Sequence, residues 1–374
     1  MFDVNAFYHG KEKYAMDKIR LGIIGCGGMA GTHAQGILKC TNEVEITAVC
    51  DVIEERATKT AEAVAELGKT PYVTTDYRTM VDLVDAVLVI LPHDLHYECG
   101  MFFADHKKHV LMEKPLCNTE EECISLIEKC EQENVVLMCA YPVRFYPGIL
   151  KLKEMVDSGD FGKIIQMSVW TEQLTPANWD DWTGTARIGG GQLFSHGCHY
   201  IDVMLWFLGN PVTGTHVGTR VGTPWLLKEG TSAVVMKFEN GAVGYHGGTW
   251  GARGTRMGYD FQIQTEKGMI EYDRSHKEIR VYSDSLEHIP GEEHSDQKMK
   301  VVWTEDVTSK NTQFELLHFV DCIKTGKKPI TDGWSSLQSL RVIWKLYDAE
   351  LHNTMADLRG LGLDNVDHNP MSYT

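Results

Sequence analysis

Ile19-Arg20-Leu21-Gly22-Ile23-Ile24-Gly25-Cys26-Gly27-Gly28-Met29-Ala30 carries the strongest fold signal in this chain. A buried aliphatic strand runs straight into a Gly-x-Gly-x-x-Ala turn, and a helical stretch follows to about Lys39. Glycines there let the backbone approach a pyrophosphate, and the helix N-terminus behind them favours an anion. Val44 to Cys50 forms a second strand that ends at Asp51, about 20 residues beyond the turn. An acid at that point accepts from ribose hydroxyls and repels a 2′-phosphate, so the expected cofactor is NAD rather than NADP. Val52 and Ile53 follow it where Arg or Lys would suit a phosphate; Arg56 is the one nearby exception. A tight strand–helix turn without a ligand is the plainer alternative.

The same alternation continues. Glu54 to Leu67 is rich in Ala and Glu at helical spacing, and Ala86 to Leu91 is a nearly pure aliphatic run stopped by Pro92. Val110 to Met112 and Val135 to Ala140 repeat the pattern, with helical segments before each. This pitch predicts a doubly wound parallel sheet, with ligands beyond the carboxyl ends of its strands. From about Tyr141 the texture changes. Ile164–Thr171, Ala233–Glu239, Ala242–Gly247, Asp260–Thr265, Met269–Asp273 and Glu278–Ser283 read as strands of a mostly antiparallel sheet. Gln313–Thr325 and Ser335–Leu351 read as closing helices, and the last dozen residues as a frayed end. The expected organisation is an N-terminal arm over 1–18, a dinucleotide-binding domain over 19–141 and a second α/β domain over 142–374.

Bulk properties narrow the function. At 374 residues the chain is long enough for two cores. Its 52 acidic against 36 basic residues give a net charge of −16, which disfavours a nucleic-acid partner. No apolar stretch approaches the roughly 20 residues of a membrane span, and residues 1–18 lack the apolar core of an export signal. The ten cysteines show no CxxC and no regular framework, and Cys26, Cys50 and Cys139, in or beside apolar runs, suit reduced, buried thiols; the expected location is cytoplasmic.

Three sites carry chemistry. Lys114, in Glu113-Lys114-Pro115, follows a strand end and so stands on the ligand-binding edge of the sheet. An ammonium there can hold a hydroxyl oxygen, stabilise a developing alkoxide or relay a proton; a surface ion pair with Glu113 is the alternative. Leu91-Pro92-His93-Asp94-Leu95-His96 ends another central strand, where His93 and His96 line the cofactor cleft or His96 serves packing and capping. Gly189-Gly190-Gly191-Gln192-Leu193-Phe194-Ser195-His196-Gly197-Cys198-His199-Tyr200-Ile201-Asp202 is a glycine loop opening a helix. His199 is the candidate base, with Ser195 and Asp202 at helical spacing to orient it and His196 facing substrate or a neighbour. His196, Cys198 and His199 lack a matching second ligand pair, so no metal is expected. Trp179-Asp180-Asp181-Trp182 pairs rings with carboxylates, either to bind a sugar or to form a surface contact.

Together these motifs resemble the Gfo/Idh/MocA oxidoreductases, which include glucose-fructose oxidoreductase and inositol dehydrogenase. The likeness runs through residues 19 to 351 and also takes in Arg144-Phe145, Pro147 and Phe319 to Pro329. It implies an N-terminal Rossmann domain plus a C-terminal α/β domain with a large, mostly antiparallel open sheet that carries substrate binding and oligomer contacts. Lys114 and His199 take the family's catalytic positions. Gly25, Cys26, Gly27, Gly28, Met29, Asp51, Leu91, Pro92, His93, His96, Glu113 and Lys114 would bind NAD. Tyr141, Arg144, Trp179, Trp182, Arg187 and His196 would meet the substrate. Ser195 stands where the family usually has Asp, which weakens the imidazole's support unless Asp202 supplies it or Lys114 carries more of the proton transfer. The implied activity is NAD-dependent oxidation of a secondary hydroxyl of a sugar, polyol or glycoside, including the 3-hydroxyl of a glucosyl unit as in bacterial C-glycoside 3-oxidases. A redox-neutral glycosidase with retained NAD and a non-catalytic NAD-binding sensor are the rival readings.

Overall fold

A computed structural model describes residues 18–65, 69–175, 189–283, 298–305 and 312–363. The expected N-terminal arm up to residue 17, the end of the helical stretch at residues 66 and 67, Trp179, Trp182, Arg187 and the frayed tail lie outside the described residues. The chain divides into two compact units. The first takes in the sequence through Phe145 and a later stretch that ends at Leu337. The second runs from Tyr146 and resumes at Gln338.

The first unit is the parallel sheet read from the aliphatic runs. Its strands are β1 (Ile19–Ile24), β2 (Val44–Cys50), β3 (Tyr72–Thr74), β4 (Ala86–Val89), β5 (His109–Glu113) and β6 (Leu137–Ala140). They lie in the order β3-β2-β1-β4-β5-β6, with every pairing parallel. The order reverses between β1 and β4, so their carboxyl ends flank the crevice where such sheets bind ligands. β4 has all four residues buried, as a central strand covered on both faces requires. Helices α1 (Gly28–Ile37), α2 (Glu54–Val64), α3 (His96–Asp105) and α4 (Glu120–Glu133) connect the strands. Thr119 starts α4 with a capping box, its side chain accepting from Glu122 N while Glu122 reaches back. Phe314, Leu316, Phe319 and Val320 of the helix Thr312–Thr325 join Leu21, Ile23 and Leu88 in one core.

The second unit is built on a nine-stranded sheet. β7 (Ile164–Glu172), β8 (Pro211–Thr219), β9 (Thr231–Phe238), β10 (Val243–Thr249), β11 (Tyr259–Thr265), β12 (Gly268–Asp273), β13 (Glu278–Ser283), β14 (Lys298–Thr304) and β15 (Ala356–Asp357) lie in the order β14-β13-β12-β11-β7-β10-β9-β8-β15. All neighbours are antiparallel except β7 and β10. Alternation along each strand sets an inner face of Val169, Val234, Met236, Phe261, Ile263 and Tyr272, all nearly or fully buried. Helix α5 (Pro147–Asp157) and helix α6 (Cys198–Leu208) belong to this unit, and all of α6 is buried. A helix apolar around its whole circumference is a core helix.

All ten cysteines are buried thiols, as the composition implies. Among the described residues no helix is long and apolar enough to cross a membrane.

Candidate active site

In the first unit the glycine turn is held by the residue expected to meet ribose. Asp51 Oδ2 accepts from Cys26 N at 2.7 Å, and Oδ1 accepts from Ile53 N at 2.8 Å. Gly25 has φ +91°, and a Cβ there would collide with the carbonyl of Ile90 at the end of β4, so only glycine fits. At Gly27 and Gly28 a Cβ would meet open space, and no side chain caps the start of α1. That is the cradle a pyrophosphate needs: backbone a ligand can approach closely, a helix N-terminus and no intruding side chain. The Cys26 thiol is pushed up to about 11, chiefly by burial, and stays protonated. Val52, Ile53 and Arg56 are exposed beyond Asp51.

Behind Lys114 stands a buried charge array. Glu113 Oε1 lies 2.7 Å from His33 Nε2, and its Oε2 accepts from Lys114 N at 3.1 Å. Burial alone would raise Glu113; the His33 bond, with the charges of His33 and Lys114, outweighs it and holds the carboxyl at about 2. On the far side His33 Nδ1 is 3.9 Å from Glu315 Oε1, a fully buried carboxyl whose pKa burial and the Glu113 charge push well above the ordinary value. The Lys114–Pro115 peptide bond is cis, as the proline allows, and Lys114 itself is partly exposed.

His96 is fully buried, with Nδ1 2.9 Å from Pro115 O and Nε2 2.9 Å from Leu91 O. It ties the end of the β4 run to the lysine motif. Burial drives its pKa down against the pull of both carbonyls, so the neutral ring donates to one of them at a time. His93 is also buried, and Leu91 and Pro92 are partly exposed. Two expected substrate contacts are interior: Tyr141 is fully buried, and Arg144, also buried, donates from Nη1 to Ile330 O at 2.9 Å.

In the second unit the glycine loop is clamped by residues the sequence reading missed. Tyr347 Oη accepts from Gly191 N and Phe194 N and donates to Glu229 Oε1 at 2.6 Å, which also accepts from Leu193 N. A Cβ on Gly191 would strike the Glu229 carboxylate, the reason for glycine at this position. Leu193–Gly197 then forms a single π-helical turn leading into α6. Ser195 and His196 sit in that wider turn, so ordinary helical spacing does not describe how Ser195 relates to His199. Such turns recur at functional sites.

His199 is largely buried, its ring edge-on to those of His196 and Tyr200 at 6.1 Å each. His196 lies 3.4 Å from both Gln192 Nε2 and Tyr259 Oη. Asp202 is fully buried and accepts from Ser339 Oγ at 3.3 Å. Tyr200 stacks on His246 at 5.4 Å, and burial pushes His246 down to about 3, leaving it neutral. Among the described residues no group of three or more His, Cys, Asp or Glu could hold a metal ion.

Comparison with known proteins decides the family. Residues 19–141 match the oxidoreductase family with an NAD-binding Rossmann fold, and residues 153–357 match the C-terminal α/β domain of the same family, Gfo/Idh/MocA. The chain belongs to this family. Its first unit is therefore an NAD-binding Rossmann domain, which agrees with the cradle at Gly25–Met29. Myo-inositol 2-dehydrogenase of Thermotoga maritima is 27% identical over 84% of this chain and 91% of its own length. The scyllo-inositol 2-dehydrogenase (NAD(+)) of Bacillus subtilis is 24% identical over 87% and 92%. Among solved structures, levoglucosan dehydrogenase in complex with NADH superposes with a TM-score of 0.81 at 21% identity, covering 91% of this chain and 99% of that one. The WlbA dehydrogenase of Bordetella pertussis, in complex with NADH and UDP-GlcNAcA, gives 0.74 at 21% identity, with 91% and 99% covered.

Proposed function

We propose that this protein oxidises a secondary hydroxyl of a sugar, polyol or glycoside to a ketone, and that the 3-hydroxyl of a glucosyl unit is the first position to examine. The observation that carries the reading is a strand-end lysine, backed by a buried carboxylate–imidazole pair, in an NAD-binding Rossmann domain. Named relatives over most of the chain length act on inositols, which are polyols with secondary hydroxyls. NAD, when bound, accepts the hydride. Lys114 holds the substrate oxygen and stabilises the charge that builds on it. His199 takes the hydroxyl proton as the carbon–hydrogen pair leaves as hydride. Ser195 orients the imidazole by hydrogen bonding, and Asp202 supports its helix.

The Asp51 carboxylate excludes a 2′-phosphate, which makes NAD the working cofactor. Copies assemble through the outward face of the nine-stranded sheet, where Val217, Val235 and Val243 are 65%, 42% and 37% exposed, and the assembly works in the cytoplasm. The test is a panel of sugars, polyols and glycosides supplied with NAD, with reduced nicotinamide and ketone product followed together. Aglycone release without net reduction would favour a redox-neutral glycosidase. Turnover of nothing in the panel would favour a sensor.

A further inference from the structure

Arg274 follows β12 and turns to the same inner face as Tyr272, two residues before it. Its guanidinium lies over the ring of Tyr146 at 4.5 Å and over that of Tyr259 at 5.3 Å. It is partly buried, yet among the described residues no carboxylate lies within ion-pair distance and no carbonyl accepts from it. The arginine of the adjacent strand β13 differs. Arg280, on the outer face, pairs with Glu271, Asp273 and Glu278. Glu305 feels the charge of Arg274, but its hydrogen bond comes from the Tyr272 hydroxyl.

Partly removing a guanidinium from water and leaving its five N–H donors unmatched is unfavourable unless something else supplies acceptors. Two aromatic faces hold the plane of the group while its donor edge stays available for a bidentate oxyanion. The position ties this group to the candidate site. Tyr259 also lies beside His196, with ring centroids 5.9 Å apart, and His196 is edge-on to His199 at 6.1 Å. One aromatic ring therefore separates Arg274 from His196, and His196 adjoins the candidate base.

We propose that Arg274 is an anion-recognising specificity residue, and that the substrate carries a carboxylate or phosphate at the end remote from the oxidised carbon. This deepens the dehydrogenase reading and rests on it. Arginine suits the task better than lysine, because its planar fork matches two oxygens at once and stacks on rings.

The test uses the NAD-loaded full chain and three phenyl glucosides that bear a para carbamoyl, carboxylate or phosphate group, with binding measured by calorimetry. The wild type should bind at least one acidic member roughly tenfold or more tightly than the neutral carbamoyl compound. The stronger acid shows which oxyanion the site takes. Arg274→Gln should erase that preference while leaving the carbamoyl affinity within about twofold, and Arg274→Lys should keep part of it. Failure of the wild type to prefer or bind either acid, or a preference that survives in Arg274→Gln, overturns the proposal. If Arg274→Gln is misfolded by thermal melting, Arg274→Lys decides: an undiminished preference overturns the proposal and a weakened one supports it. Oxidation of the carbamoyl glucoside, with Lys114→Ala as control, reports separately on the dehydrogenase reading. Oxidation without acid preference sinks only the role of Arg274, and acid preference without oxidation sinks only the dehydrogenase.

Discussion

The Nε2 of His33 lies 2.7 Å from Oε1 of Glu113, in the residue next to the candidate catalytic lysine, and both side chains are buried. The pair has a pH signature. Glu113 has an ordinary value of 4.5 and is held at about 2 in the fold, so its contribution is fully present above 4.5 and lost as pH falls towards 2. The shift corresponds to about 3 kcal/mol at most. Urea denaturation between pH 5 and 3 should show the wild type losing stability across this window. His33→Ala should lose about 3 kcal/mol at pH 7 and regain part of it in acid, because the stranded carboxyl then takes up a proton.

His96 braces the lysine motif through Pro115 O and the preceding strand through Leu91 O. His96→Ala removes both ties and leaves a cavity. kcat should fall by roughly tenfold or more as Lys114 loses its placement, out of proportion to any loss of NAD affinity. Equal losses in cofactor binding and turnover would instead mean that the whole crevice had collapsed.

Gly25→Ala places a methyl group against the Ile90 carbonyl at a backbone angle that L residues rarely adopt. The expected destabilisation is about 1–3 kcal/mol, with weakened NAD binding, read by thermal melting with and without cofactor. Asp51→Ala should weaken NAD for a second reason, since it also releases Cys26 N and Ile53 N, and it should narrow the gap between NAD and NADP.

Much of this was legible in the residues, for identifiable reasons. The parallel sheet announced itself because central strands buried on both faces are uninterrupted aliphatic runs. β3, with three residues, and β15, with two, were too short to show a pattern. β8 carries Pro211 and two glycines, and β14 carries lysines suited to an edge, so neither reads as a strand. Helix α5 starts on Pro147, a favourable first residue, but Tyr146 before it cannot cap as Ser, Thr, Asp or Asn would, so its start signal is weak. Lys114 and His199 were visible because each sits in a compact local motif. Glu229, Tyr347, Tyr259 and Arg274 were not, because their partners are far away in sequence and only the folded sheet brings them together. The π turn at Leu193–Gly197 likewise leaves no periodic trace in its composition.

The resemblance to the family implies Asp at the position that Ser195 holds. Ser195→Asp should raise the lower apparent pKa of the pH–kcat/KM profile, because a carboxylate beside the imidazole favours its protonated form. The buried site makes the variant less stable, by about 1–3 kcal/mol. An unchanged profile in a folded variant would place Ser195 away from the proton-transfer step.

The central claim is that Lys114 and His199 serve one alcohol oxidation. Single-turnover reduction of bound NAD by an accepted sugar or glycoside, measured in wild type, Lys114→Ala and His199→Ala, tests it most directly. With NAD at saturating concentration, each variant should slow the reduction step by about 10²–10⁴-fold, with ketone formed in proportion to reduced nicotinamide in the wild type. Reduction at wild-type rate in either variant would contradict the account.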